Sequence, residues 1–360
     1  VQRLISEEKP AAAVLLLAGM VGLLAANLLG AEGIESVLHP TVAGHVLDLP
    51  WFAADGLLTV FFFVAGLELR HEFTEGSLTT AREAAVPVVA AMLGMIMPAA
   101  IFILLAPAAA GAAWGVPMAT DLPLALALVA VVGAGLPLSL RAFILSLAIV
   151  DDALSILVIA IVFGGSLSPL WCLATALLAW LYTRVQPRSM LLAGVVALAA
   201  WGAMLNTGIH ATVLGVVLGL LTSHRTDSLR NRWQPFSGLV AVPLFVATSL
   251  AIPLSMDAVN DRLVIAVTAA RIIGKPLGIM AGAALAVHFF KPATALRLSA
   301  YGAAGCVAAL GFSVSMLFAE LGLGEPLLAQ TKVAVVISML LSGLVGTVAL
   351  KRLRRSMSTE

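Results

Sequence analysis

Apolar stretches of about 17 to 25 residues recur along this chain from one end to the other, each long enough to cross a roughly 30 Å hydrocarbon core as a helix. Nothing else in the sequence restricts the fold as strongly. Hydrocarbon offers no water to the backbone, so only helices and closed barrels can span it. The ten-residue alternating segments of a barrel do not occur in this sequence. At 61% apolar residues, 11% charged residues and a mean hydropathy of +1.08, the composition also lies far from that of a soluble domain.

The apolar runs predict spans at 11–30, 52–70, 85–106, 114–133, 137–163, 168–184, 189–205, 208–222, 236–254, 262–288, 296–320 and 327–350. The run after the first ten residues is read as a span, because no small-residue cleavage pattern followed by a polar domain succeeds it. Lys and Arg test the count, since cytoplasmic connections retain positive charge. Of the 20 basic residues, Arg262 and Lys332 sit at span edges on the opposite side, and Arg271 and Lys275 fall within an apolar segment. All the others, from Arg3 and Lys9 through Arg70, Arg141 and Arg225 to Arg355, occupy one set of alternate connections. That alternation predicts an all-α polytopic membrane protein of about twelve helices with both termini cytoplasmic. The longest polar connections, near 31–50 and 223–235, are too short to bury a core. The whole of 1–360 is therefore read as a single transmembrane domain.

A formal charge of +1 with scattered basic residues gives no footprint for nucleic acid. Cys172 and Cys306 sit in apolar runs and suggest neither a disulfide framework nor a thiolate metal site. No cofactor is implied.

Ionisable residues inside apolar spans are costly, at about 2.5–3.5 kcal/mol each on the insertion scale, and so mark function. The fifth span, FILSLAIVDDALSILVIAIVF, places Asp151 and Asp152 side by side near its middle. Two close carboxylates in low dielectric do not readily both ionise. The same oxygens can hold a proton or a hard cation, which is the competition a proton-coupled cation site needs. The plainer reading is a pair of acids neutralised by neighbours with no transport role.

The fourth span contains VPMATDLPL, where Pro117 and Pro123 flank Thr120 and Asp121. Proline removes a backbone hydrogen bond and clashes with the preceding turn, so a break is expected there; a packing kink is the alternative. In the tenth span, RIIGKPLGI, Lys275 needs a counter-ion or a depressed pKa, and the Asp151/Asp152 pair is the available acidic partner. Arg271, at i−4, shares its face or snorkels toward a surface. The eleventh span, CVAALGFSVSM, brings Gly311, Ser313 and Ser315 to mid-membrane, where small residues commonly mean close packing. Spans 3–5 and 10–12 each have an unusual middle helix, which suggests inverted repeats at approximately 85–163 and 262–350 with paired interruptions in spans 4 and 11. His71 reads as a structural histidine. His210 is open between that and a titrating role.

The segments FFFVAGLELRHEFTEGSL, VPMATDLPLAL, LSLAIVDDALSI, GIHATVLGVVLG, RIIGKPLGI and AALGFSVSM together resemble the NhaA-type sodium/proton antiporters, in order and over nearly the whole chain. The resemblance implies a twelve-helix fold with interrupted, crossing helices 4 and 11, and electrogenic exchange of Na⁺ or Li⁺ for H⁺ in a bacterial inner membrane. It makes Asp152 the principal cation ligand, with Asp151 and Thr120 completing the Na⁺ site. It pairs Asp151 with Lys275, and puts Thr120 and Asp121 in the crossed-helix assembly. Asp55, Glu68 and His210 match family positions, the last two in regions tied to pH response. A homodimer hairpin of the kind some members use would have to form within 31–50, where VLHPTVAGHVLDL is a weak candidate.

The chain departs from the family pattern at several points. Arg230, Asn231 and Gln234 stand where members carry a Glu and two His, so steep pH activation does not carry over as an expectation. His71 replaces an Arg, and Pro123 and Arg271 are additional.

Other classes fit less well. A sodium-coupled symporter needs a roomy organic-substrate site, and no aromatic or hydrogen-bonding cluster suggests one. An intramembrane aspartyl protease needs its two aspartates on different helices. A pH or ion sensor without transport is the remaining alternative.

Overall fold

Because the hydrocarbon core satisfies no backbone group, the apolar runs can only fold as helices. The computed structural model describes residues 2–42, 45–76, 80–133, 136–223, 226–252, 261–292 and 295–358. Their elements are α1 (Gln2–Leu38), β1 (Thr41–Val42), β2 (His45–Val46), α2 (Leu49–Trp51), α3 (Leu58–Thr74), α4 (Ala81–Leu105), α5 (Leu122–Val132), α6 (Leu138–Val162), α7 (Pro169–Val185) and α8 (Met190–Met204). These are followed by α9 (Thr212–Leu221), α10 (Thr226–Phe236), α11 (Val242–Ser249), α12 (Asp261–Ala269), α13 (Lys275–Phe290), α14 (Leu298–Ala308), α15 (Ser313–Gly322) and α16 (Leu327–Ser358).

Among the described residues, six helical stretches are long and apolar enough to cross a bilayer: Pro10–Leu38, Leu49–Thr74, Arg82–Leu105, Leu138–Val162, Arg262–Phe290 and Leu327–Met357. The pair α14 and α15, bent by 60° at a short break, is long and apolar enough only when taken together, and α5, α7, α8 and α9 are shorter apolar helices.

Three regions show structure that the sequence reading left undescribed. The polar connection 31–50 is partly helical: Gly30, at φ 71°, interrupts α1, and helix resumes to Leu38. The connection 223–235 is also largely helical. Thr226–Phe236 forms α10, which runs through a π-turn at Ser237–Ala241 into α11. A charged segment can be helical when only one face packs. Finally, residues 114–119 of the fourth span are not helix. A 3₁₀ segment at Ala108–Ala113 and turns to Met118 precede α5, since Gly111, Gly115 and Pro117 all disfavour α-helix. Arg225, Ala43–Gly44 of the hairpin candidate, and 253–254 of the ninth span lie outside the described residues. Within that hairpin candidate, Thr41 pairs with Val46 and Val42 with His45 in antiparallel register.

The chain divides into two compact units. One comprises 1–17, 75–155 and 252–360, and so holds both proposed repeats except for 156–163. Its packing rests on a seam of glycines at four-residue spacing, Gly274 just before α13 and Gly278 and Gly282 within it. A Cβ on them would run into backbone atoms of Pro98, Leu93 and Val89 of α4. Where the surrounding lipid is as apolar as the helices, such close approach is what holds helices together.

The other unit comprises 18–74 and 156–251. There Gly66 of α3 meets Val216 and Gly219 of α9, while Gly215 meets Thr59. Ala179, Tyr182, Val196, Met204, Leu214 and Leu218 of α7, α8 and α9 form a buried cluster. The Tyr182 hydroxyl lies 2.8 Å from Thr222 Oγ1.

Candidate functional site

In the first unit, the segment before α5 and the segment between α14 and α15 both leave helical geometry, and each supplies what the other lacks. The last turn of a helix leaves carbonyls without intrahelical donors. At the end of α14, Ala308 O accepts from Thr120 Oγ1 at 2.9 Å and Leu310 O accepts from the Asp121 N–H at 2.6 Å. The first turn of a helix leaves N–H groups free and carries partial positive charge. Asp121 Oδ2 accepts from the Ser313 N–H at 3.1 Å and from Ser313 Oγ at 2.6 Å, at the start of α15. Its Oδ1 accepts from the Leu124 N–H at 3.4 Å, at the start of α5. One buried carboxylate thus accepts at the starts of two helices. Gly311 lets the chains approach this closely, because a Cβ there would strike the Ala119 carbonyl oxygen.

Asp151 and Asp152 lie in the middle of α6, 1% and 3% exposed. Asp151 Oδ2 accepts from the Thr120 N–H at 2.9 Å and from Lys275 Nζ at 2.8 Å. Lys275 also donates to the Met118 carbonyl, so its ammonium joins α13, α6 and the turn before α5. Asp151 Oδ1 has no hydrogen-bond partner among the described residues, and neither has Ser155 Oγ one turn later. The oxygens that could meet a hard cation are therefore Asp151 Oδ1, the Asp152 carboxylate and the Thr120 hydroxyl oxygen, the donor set that Na⁺ and similar ions favour.

Arg271, left open between snorkelling and the site, is fully buried. It sits in a π-turn, Ala270–Gly274, that joins α12 to α13. Its Nη1 donates to Ser338 Oγ at 2.8 Å and Val335 O at 3.4 Å, and its Nη2 to Ser315 Oγ at 2.6 Å and Val116 O at 3.3 Å. Ser315 thus does more than allow close packing. Sequence reading missed the Lys332–Glu320 pair, which lies at 2.9 Å and is mostly buried. An acid and a base twelve positions apart on separate helices leave no spacing signal.

Asp55, Glu68 and His210 belong to the second unit. Asp55 lies in a π-turn, Phe52–Leu57, between α2 and α3. Its Oδ1 is 3.7 Å from His210 Nε2, and its carbonyl accepts from Trp201 Nε1 at 2.9 Å. His210 Nδ1 lies 2.9 Å from Thr212 Oγ1. Glu68 is half-buried on α3. His71 lies 3.5 Å from Asp227, which also pairs with Arg230 at 3.1 Å.

A family model described as Na⁺/H⁺ antiporter 1 matches residues 2–350. The chain is 39% identical to Na(+)/H(+) antiporter NhaA 1 of Saccharopolyspora erythraea, over 94% of this chain and 88% of that one. It is 36% identical to Na(+)/H(+) antiporter NhaA of Nocardia farcinica, over 97% and 90%. A solved structure of the sodium proton antiporter MjNhaP1 from Methanocaldococcus jannaschii has a similar fold, with a TM-score of 0.54 at 15% identity, covering 97% of this chain and 98% of that one.

Proposed function

The chain belongs to the Na⁺/H⁺ antiporter 1 family, and on that premise we propose that it is an electrogenic carrier that exports Na⁺, or Li⁺, in exchange for protons. The family is one of membrane transporters rather than enzymes, and Na⁺ and H⁺ are the ions it is named for.

The observation that carries the mechanism is the buried Asp151/Asp152 pair, with Lys275 and Thr120 both donating to one oxygen of Asp151. Asp152, with Asp151 beside it, alternately holds one cation or protons. Neither can load until the other leaves, and this competition couples the two fluxes. Alternating access then presents the loaded site to one side of the membrane at a time. With two protons exchanged per Na⁺, one net charge moves in each cycle, worth about 2.3 kcal/mol per 100 mV, so an inside-negative potential drives Na⁺ outward.

The architecture belonging to this reading has twelve spans and both termini in the cytoplasm of a bacterial inner membrane. The two half-helix pairs cross at the midplane as the centres of inverted repeats. Their reciprocal capping through Asp121, Ser313 and Thr120 supports that arrangement. A homodimer would join through the β1–β2 ladder.

The test is collapse of a preformed pH gradient in everted vesicles on adding NaCl, LiCl or KCl between about pH 6 and 9. Proton movement with Na⁺ and Li⁺ is expected. No response to any cation across that range would contradict antiport and favour a sensor.

A further inference from the structure

We propose that Arg271 is a positioning residue of the cation site: a second permanent charge, clamped by four hydrogen bonds, that leaves the fully ionised site short of a single positive charge and so sets how tightly it takes a monovalent cation or protons. The inference rests on the antiport reading.

A guanidinium stays protonated inside proteins, and its planar fork suits fixed bonding to several acceptors. Here the fork ties the turn before α5, the first turn of α15 and the last helix through Val116, Ser315, Val335 and Ser338. Lys275 donates to Met118 in the same turn and reaches Asp151 Oδ2 at 2.8 Å. Carbonyls two residues apart can be separated by no more than about 7 Å of chain. The two cationic side chains therefore flank one turn, with Asp121 following it and the α6 aspartates beside it.

The buried acids of the site are Asp121, Asp151 and Asp152, and its buried bases are Lys275 and Arg271. Fully ionised, the five groups sum to one negative charge. One Na⁺ or one Li⁺ neutralises them, and the two protons that replace it leave one net positive charge. Without Arg271 the shortfall would be two. On the elements packed around Arg271, Glu320 of α15 and Lys332 of α16 pair with each other at 2.9 Å, and Arg82 and Glu83 of α4, Arg262 of α12, His288 of α13 and Lys351, Arg352, Arg354 and Arg355 of α16 stand near the helix ends.

Removing a unit charge about 10 Å away, at an effective dielectric of about 20, changes an equilibrium roughly tenfold. The experiment compares wild type, Arg271→Gln and Arg271→Lys in everted vesicles. It reads the Na⁺ concentration for half-maximal gradient collapse, at a pH where wild-type activity has levelled, and the pH of half-maximal activity. Arg271→Gln should lower the first about tenfold and raise the second by about one unit, because both Na⁺ and protons bind more tightly. Arg271→Lys keeps the charge but loses the fork; it should lower the maximal rate and leave both midpoints in place.

Should Arg271→Gln fail to accumulate, Ser315→Asp puts an opposing carboxylate on the retained guanidinium and should move both midpoints in the same directions. Equal shifts in the Gln and Lys variants, or no shift in the charge-removing ones, would overturn the proposal. A wild type without Na⁺-dependent proton movement would instead refute the antiport reading itself.

Discussion

Asp151 and Asp121 are each held by donors, and the loss of one from each has different consequences. Lys275→Ala strips a buried carboxylate of its counter-ion and the Met118 carbonyl of its donor. Breaking a buried pair from one side typically costs about 3–5 kcal/mol, so the variant is expected to lose thermal stability in detergent as well as transport. Ser313→Ala removes one of two donors from Asp121 Oδ2 and keeps the backbone N–H. The expected loss is smaller, about 1.5–3 kcal/mol for a hydrogen bond to a charged group, measured by the same melting experiment. Asp151, Asp152, Asp121 and Lys275 are legible in the sequence because an ionisable side chain stands out in an apolar run. The direction of each bond is not. Nothing in the string indicates that Thr120 offers its N–H to one helix and its hydroxyl to another, or that Arg271 reaches Ser338, since neither fact has a local pattern.

At the scale of elements, glycines decide how near the helices come. The spacing of Gly274, Gly278 and Gly282 is a readable packing signal, whereas their partners on α4 emerge only from the fold. Gly278→Val would drive a branched side chain into the Leu93 carbonyl. Overpacking of this kind costs about 1–3 kcal/mol or more, and a fall in melting temperature is expected. Gly311→Val should abolish gradient collapse by separating the two interruptions. Gly194→Ala, with open space around it, serves as the control that keeps activity. The π-turns at Phe52–Leu57 and Ala270–Gly274 are invisible to a 3.6-residue period, yet they carry Asp55 and Arg271. A π-turn inserts one residue and re-aims the side chains around it, which is why such turns gather at functional sites.

For the whole molecule, the alternation of Lys and Arg yields an orientation that can be measured directly. In a background with Cys172 and Cys306 replaced, a cysteine at exposed Ser356 should react with a membrane-impermeant maleimide only in everted vesicles, and one at exposed Ser166 only in right-side-out vesicles. The reverse labelling would invert the proposed topology. That the chain is built of apolar helices is legible because apolar length is a strong signal. The interruptions are less so, because prolines and glycines announce a break without saying what fills it.

The central claim is that a proton and a cation compete for the carboxylates of α6. Addition of NaCl to purified protein in weakly buffered detergent solution, followed by a pH indicator, tests it without a membrane gradient. Wild type should release protons on Na⁺ binding, and Asp152→Asn, with no ionisable group at that position, should release none. Equal release from both, or Na⁺ binding by the wild type without any release, would contradict the account.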